Sequence, residues 1–164
     1  DIIIIPGVGS FKFAMKYLKL KNLENKIKNF VTKKDKLLFG ICLGMQLLFD
    51  ESEEFGKTKG LGLLKGKVKR INYKNLKVPH IGWNYLIKKK NLFLPKDIFN
   101  KQFYFTHSFY CDPVVSSEIN TLTKYGQFNF CSSIKKKNII GTQFHPEKSG
   151  KTGLKILKKI SDLI

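Results

Sequence analysis

An α/β fold built on a parallel sheet is predicted for this chain of 164 residues by three observations. Two short continuous apolar runs, "DIIII" at residues 1–5 and "KLLFGI" at residues 36–41, have the character of strands buried on both faces. Helical patterns follow each run, so that strand, helix, strand and helix succeed one another with short connections. A hydrophobic content of 42% with 14 phenylalanines is enough for one domain with a sizeable core.

Each element can be justified in turn. The first run ends at "PGVG", where proline and glycine stop a strand. Residues 11–34 carry Phe13, Tyr17, Leu20, Leu23, Ile27 and Phe30 near helical spacing, with lysines opposite, predicting one or two helices. The second run gives way at "GICLG" to "LGMQLLFDES", which reads as a helix fading into an acidic loop. Beyond residue 60 the pattern changes to short strands separated by turn residues: "GLLKGKVKRI", "HIGWNYLI", "QFYFTHSFY", "TLTKYG", "FNFCSSIK" and "NIIGTQF". That half is expected to add a smaller antiparallel portion. "SGKTGLKILKKISDLI" closes the chain as an amphipathic helix with Leu154, Leu157, Ile160 and Leu163 as its apolar face.

Composition narrows the function classes. No apolar run approaches the roughly 18 residues of a membrane-spanning helix, and the expected setting is soluble and cytoplasmic. Cys42, Cys111 and Cys131 are odd in number and lack C-x-x-C spacing, against a disulfide framework or a zinc site. No metal and no cofactor is expected. The net charge of +19 is carried almost wholly by lysine, in short groups at 88–90 and 135–137, with Arg70 the only arginine. Specific nucleic-acid recognition leans on arginine, so the expectation is a compositional bias without a specific nucleic-acid or membrane partner. The chain begins at Asp1 without an initiator methionine, directly at a strand-like segment, as a fragment or a processed chain would.

Chemistry is concentrated at two places. Cys42 lies on a strand-to-helix turn between Gly40 and Gly44, the pattern of a nucleophile elbow. The following helix start is expected to favour the thiolate and to place the Leu43 N–H where an oxyanion would form. A lone cysteine is more often a packed core residue, but "TQFHPEKSG" supplies a partner for this one. His145 and Glu147 are two residues apart beside a proline that favours extended geometry, so both can project to one side. Nucleophile, base and orienting carboxylate are then all present. His80 and His107 read by default as satisfied core or surface residues.

With those residues in view, "GICLGMQLLF" and "FHPEKSG" resemble the Cys-His-Glu glutaminase domain of the triad glutamine amidotransferases. "IPGVG", "GMQLLFDESEE", "VPHIGWN", "FYFTHSFY" and "GTQFHPEKSG" are most similar, within that superfamily, to the glutaminase subunits of imidazole glycerol phosphate synthase. The resemblance implies a three-layer, flavodoxin-like sheet flanked by helices. It also implies glutamine hydrolysis through a glutamyl thioester on Cys42, with His145 relaying protons and Glu147 orienting it. The amides of Val8 and Leu43 would hold the oxyanion; Gly9, Gln46, Glu54 and the stretch His107, Ser108 and Phe109 would place glutamine. Phe109 stands where the family usually has tyrosine. The ammonia would pass to a (β/α)₈-barrel cyclase as heterodimer partner, with Pro79, His80, Gly82, Trp83, Asn84, Tyr104 and Lys148 near the interface. Family members carry, ahead of "IPGVG", a strand-helix-strand unit with a "DYGxGN" turn, so residues 1–164 are expected to be one glutaminase domain lacking its N-terminal segment. Two alternatives remain: a paralogous subunit supplying ammonia to a sugar-modifying synthase for surface polysaccharide, and a non-catalytic basic binding module.

Overall fold

The computed structural model describes residues 1–89 and 94–163; Lys90 of the lysine group at 88–90 and Ile164 of the stretch read from sequence as the closing helix lie outside them. The first apolar run forms β1 (Ile2–Ile5) and the second forms β2 (Leu37–Ile41). These pair in parallel, Ile2 opposite Leu37 through Ile5 opposite Gly40. On its other side β2 pairs in parallel with β12 (Ile139–Thr142), which puts Gly141 beside Gly40 and Thr142 beside Ile41. All five residues of β2 are buried, as a central strand covered on both faces requires.

The alternation along β2 separates two apolar layers. Leu38 faces one that contains Phe11, Met15, Ile27, Met45 and Leu48. Leu37, Phe39 and Ile41 face the other, with Phe103, Phe105, Phe144, Ile156 and Ile160. The first layer is roofed by α1 (Phe11–Leu20), α2 (Leu23–Phe30) and α3 (Leu43–Leu47). The second is roofed by α4 (Gly150–Ser161) and by a ribbon of β6 (His80–Tyr85) paired antiparallel with β8 (Gln102–His107).

The rest of the main sheet is mixed. From β12 it continues through β11 (Phe128–Lys136), β9 (Phe109–Pro113) and β5 (Leu64–Arg70), all antiparallel neighbours, to β3 (Phe49–Ser52) and β4 (Thr58–Lys59). Strand β10 (Ile119–Tyr125) forms a hairpin with β11 and carries the short β7 (Ile87–Lys88) on its other edge. The α/β class and flanking helices are as expected from sequence, with a larger antiparallel share than the small portion anticipated.

Four local expectations are corrected. The helix read over residues 43–52 stops at Leu47, and Phe49–Ser52 is strand β3. Its last carbonyls are taken by another segment: Leu61 N donates to Leu47 O, and Leu63 N and Leu64 N donate to Leu48 O. The α1 face read from spacing is turned outward. Phe13, Tyr17 and Leu20 are exposed, while Phe11 and Met15 are buried with Ala14 and Leu18 against them. The N-terminus of α1 is pinned by Glu54, whose carboxylate accepts the Phe11 N–H at 2.6 Å. Likewise α4 buries Gly153, Ile156 and Ile160 and leaves Leu154 exposed. A Cβ at Gly153 would stand 1.8 Å from the Pro146 carbonyl oxygen, so this close approach sets the rotation of the helix. Finally, "QFYFTHSFY" breaks at Ser108 into β8 and β9, which join different sheets.

Candidate active site

The break at Ser108, the turn after β2 and the loop after β1 converge on one cleft. It encloses about 280 Å³ and is lined by Val8, Gly9, Cys42, Leu43, Gln46 and Glu54 together with Pro79, Thr106, His107, Ser108 and Phe109. Ten of the residues expected at the site or interface therefore share one concavity, Pro79 among them although it was assigned to the interface.

Cys42 sits at the bottom, 5% exposed, with φ 51° and ψ −107°. A positive φ is costly for a non-glycine residue and aims the side chain away from the strand it follows. The strain is on the cysteine itself. The flanking glycines serve close packing: a Cβ on Gly44 would lie 1.7 Å from the Ile5 carbonyl oxygen, and one on Gly40 would lie 2.6 Å from the Gly44 oxygen. The turn is held at its start by Cys42 N donating to Thr142 O at 2.7 Å.

The thiol differs from its expected state. Burial pushes the Cys42 pKa up to about 11, although the Leu43 N–H and the Gln143 side chain favour the anion. With only five residues, α3 offers too little aligned dipole to offset that desolvation. The resting sulfur is a thiol, 3.8 Å from the Thr106 carbonyl oxygen and 3.5 Å from Gln143 Nε2.

His145 and Glu147 lie at the end of β12, where Pro146–Lys148 makes a single 3₁₀ turn. His145 Nδ1–H donates to Glu147 Oε1 at 2.7 Å, which leaves Nε2 with the lone pair. That nitrogen is buried and has no hydrogen-bond partner among the described residues. No hydrogen bond joins it to Cys42; resting catalytic contacts are often longer than working ones. Ser149 fixes the corner, donating to His145 O at 2.6 Å and accepting from Tyr104 N at 3.0 Å.

A family model described as glutamine amidotransferase class-I matches residues 1–161. The chain belongs to that family. Curated relatives named imidazole glycerol phosphate synthase subunit HisH are similar along nearly the whole chain. The Chlorobium luteolum protein is 42% identical, over 98% of this chain and 80% of its own length. The Aquifex aeolicus protein is 45% identical (96% and 75%), and that of Lacticaseibacillus casei 47% (98% and 76%). A crystal structure of a glutamine amidotransferase superposes with TM-score 0.71 at 18% identity, covering 98% of this chain and 79% of that one. An amidotransferase from Thermotoga maritima superposes with TM-score 0.62 at 20% identity, covering 99% and 63%. At that identity both speak for the fold.

Within this amidotransferase the remaining expected residues divide by exposure. Glu54 lines the cleft while holding the N-terminus of α1, so its carboxylate is already partly engaged. His107 is buried, its Nδ1–H donating to Phe109 O at 2.8 Å and its Nε2 accepting from His80 Nδ1 at 3.1 Å. His80, expected near the partner, points inward at 3% exposure, stacked on Phe105 and Tyr125 as a packed core histidine is. Burial lowers the pKa of His80 to about 4, and burial with the neighbouring His80 lowers that of His107 to about 3. The opposite face of β6 is open: Ile81, Trp83 and Tyr85 are each at least 51% exposed. Trp83 meets Tyr104 edge-on at 5.9 Å, and Lys148 Nζ lies 5.9 Å over the Tyr104 ring. Asn84 bonds within the fold, donating to Lys124 O, and Gly82 adopts φ 137°, which glycine allows.

Gln143 is the residue that sequence reading passed over. It is fully buried, one residue beyond β12, and touches both Gln46 and Cys42. The signal for it was an amide in the buried-strand pattern "NIIGTQF", since a buried amide needs partners.

Proposed function

We propose that this amidotransferase hydrolyses glutamine to glutamate and ammonia at Cys42, in the cytoplasm, and delivers the ammonia to a synthase partner of the (β/α)₈-barrel cyclase type in histidine biosynthesis. The observation that carries the chemistry is a strained cysteine at the foot of a cleft together with a buried imidazole whose Nδ1 is spent on Glu147 and whose Nε2 is free. The relatives at 42–47% identity, all named as subunits of imidazole glycerol phosphate synthase, support the pathway.

In this reading glutamine enters the cleft with its side-chain amide over Cys42. Because the resting thiol holds its proton, attack on the amide carbon is coupled to proton transfer from sulfur to His145 Nε2. Glu147 stabilises the imidazolium and keeps its tautomer. Charge on the tetrahedral oxygen falls to the amides of Leu43 and, after the loop turns, Val8, whose glycine neighbours permit that movement. The proton passes from His145 to the departing nitrogen, ammonia leaves, and water activated by His145 hydrolyses the thioester. Ammonia loose in water would be protonated, so the exposed aromatic face of β6 with Tyr104 and Lys148 is assigned to a partner that seals the exit.

The test is glutamate release from glutamine by the chain together with its barrel partner, before and after Cys42→Ala. Loss of release in the variant supports the mechanism, and unchanged turnover refutes it. Release with a sugar-modifying synthase in place of the cyclase would reassign the pathway and keep the chemistry.

A further inference from the structure

We infer that Gln143 is a thiol-positioning residue: it holds the Cys42 sulfur in its resting place and donates to it as the thiolate forms, with its own orientation dictated by Gln46. The inference rests on Cys42 being the nucleophile and deepens that reading.

The orientation of both amides follows from one fixed point. The Phe109 carbonyl oxygen can only accept, and Gln46 Nε2 lies 3.0 Å from it, so the Gln46 amide must turn its nitrogen that way. The second hydrogen of that nitrogen goes to Gln143 Oε1 at 3.2 Å. With its oxygen spent on Gln46, Gln143 has its Nε2 left for Cys42 Sγ, at 3.5 Å. Its backbone is anchored as well, Gln143 N donating to Ser132 O at 2.9 Å. The relay is therefore directional: a carbonyl in the substrate-binding stretch orients Gln46, Gln46 orients Gln143, and Gln143 presents a donor to sulfur.

Two consequences follow from this wiring. First, Gln143 is fully buried and Gln46 is 5% exposed, so the N–H aimed at the sulfur is shielded from water and is worth more to an anion than a surface donor. Burial of Cys42 disfavours the thiolate, so a donor already in place at the sulfur lowers the barrier to its transient formation. Second, both donors of Gln46 are committed inside the protein, so the atom it can offer a ligand in the cleft is its carbonyl oxygen. It would accept from the ammonium or amide N–H of glutamine.

The test is the pH dependence of Cys42 alkylation by iodoacetamide, read by peptide mass, beside glutamate release by the full chain with its partner. Cys111 and Cys131 are buried and serve as internal references. Gln143→Met keeps the volume and removes the donor; Gln143→Glu keeps the shape and places a carboxylate by the sulfur. The alkylation profile is expected to move to higher pH in both, by on the order of one pH unit for Met and more for Glu. The kcat for glutamine is expected to fall about tenfold or more, while KM changes less than threefold. A profile and kcat unchanged in either folded variant overturn the inference. The Cys42→Ala control separates the two readings: full activity there defeats the nucleophile assignment, whereas an inactive Cys42→Ala beside an unaffected Gln143→Met defeats only the role of Gln143.

Discussion

Three histidines lie buried in this amidotransferase in two contrasting settings. His80 and His107 face each other across the β6–β8 ribbon: His80 Nδ1 and His107 Nε2 are spent on one another, and His107 Nδ1 on the Phe109 carbonyl. Among the described residues no carboxylate pairs with either, and burial keeps both neutral at pH 7. His145, at the end of β12, has a carboxylate on Nδ1 and an unspent Nε2. Burial is common to all three, so depth does not mark the working histidine. What singles out the histidine proposed to work is a lone pair without a partner among the described residues, beside a carboxylate that can stabilise its protonated form.

The largest effect expected from this contrast is on turnover. His145→Gln should lower glutamate release by about 10³-fold while thermal unfolding stays within a few degrees; a loss under tenfold would break the distinction. The ribbon pair should answer to acid through stability instead. An unfolded histidine takes up its proton near pH 6.5, whereas folded His80 resists until about pH 4 and His107 until about pH 3. Over that window the unfolded chain binds more protons, so stability falls as pH falls. The expected loss between pH 7 and 4 is on the order of 3 kcal/mol for each histidine and about twice that for the pair, since a tenfold difference in proton affinity between the folded and unfolded chain is worth about 1.4 kcal/mol; urea unfolding measures it. His80→Phe, which fits the stack between Phe105 and Tyr125, should flatten the slope; an unchanged slope places the acid sensitivity elsewhere.

Smaller effects sharpen the same contrast. Glu147→Gln keeps a hydrogen-bond acceptor for Nδ1–H but removes the charge, and a loss of about thirtyfold in kcat, roughly 2 kcal/mol, is expected. If turnover were insensitive to that change, the carboxylate would be merely structural. Last, Trp83→Ala strips the outward face of β6 without touching the inward histidines. It should weaken partner binding by about tenfold, close to 1.4 kcal/mol, with unfolding at pH 7 little changed. Calorimetric titration against the proposed barrel partner reads this directly, and unaltered affinity would remove Trp83 from the proposed interface.

How much of the site was legible in sequence differs residue by residue. Cys42, His145 and Glu147 were readable because their spacing is local: an elbow needs five consecutive residues, and a histidine with its carboxylate needs three. The gathering of Val8, Gln46, Glu54 and residues 107–109 around Cys42 rested on resemblance, since those segments meet only through sheet order. Gln143 left only a faint trace, an amide at the end of a buried-strand pattern. Its significance depends on Gln46, which is 97 residues away in the chain. The thiol's state was misjudged for a related reason: a helix start argues for thiolate, and the weight of burial against it depends on the whole surroundings.

By itself the sequence determined the α/β class, the buried parallel strands, the strand-rich second half and the elbow with its histidine and carboxylate. These depend on short-range pattern, where period and turn chemistry act within a few residues. Tertiary structure alone decided which face of α1 and α4 is covered, that residues 49–52 extend the sheet instead of a helix, and that His80 turns inward while Trp83 turns out. Each was a choice between alternatives equally compatible with local spacing. For α4 the deciding feature is the close backbone contact at Gly153, and for residues 49–52 it is the Leu47 and Leu48 carbonyls claimed by distant amides.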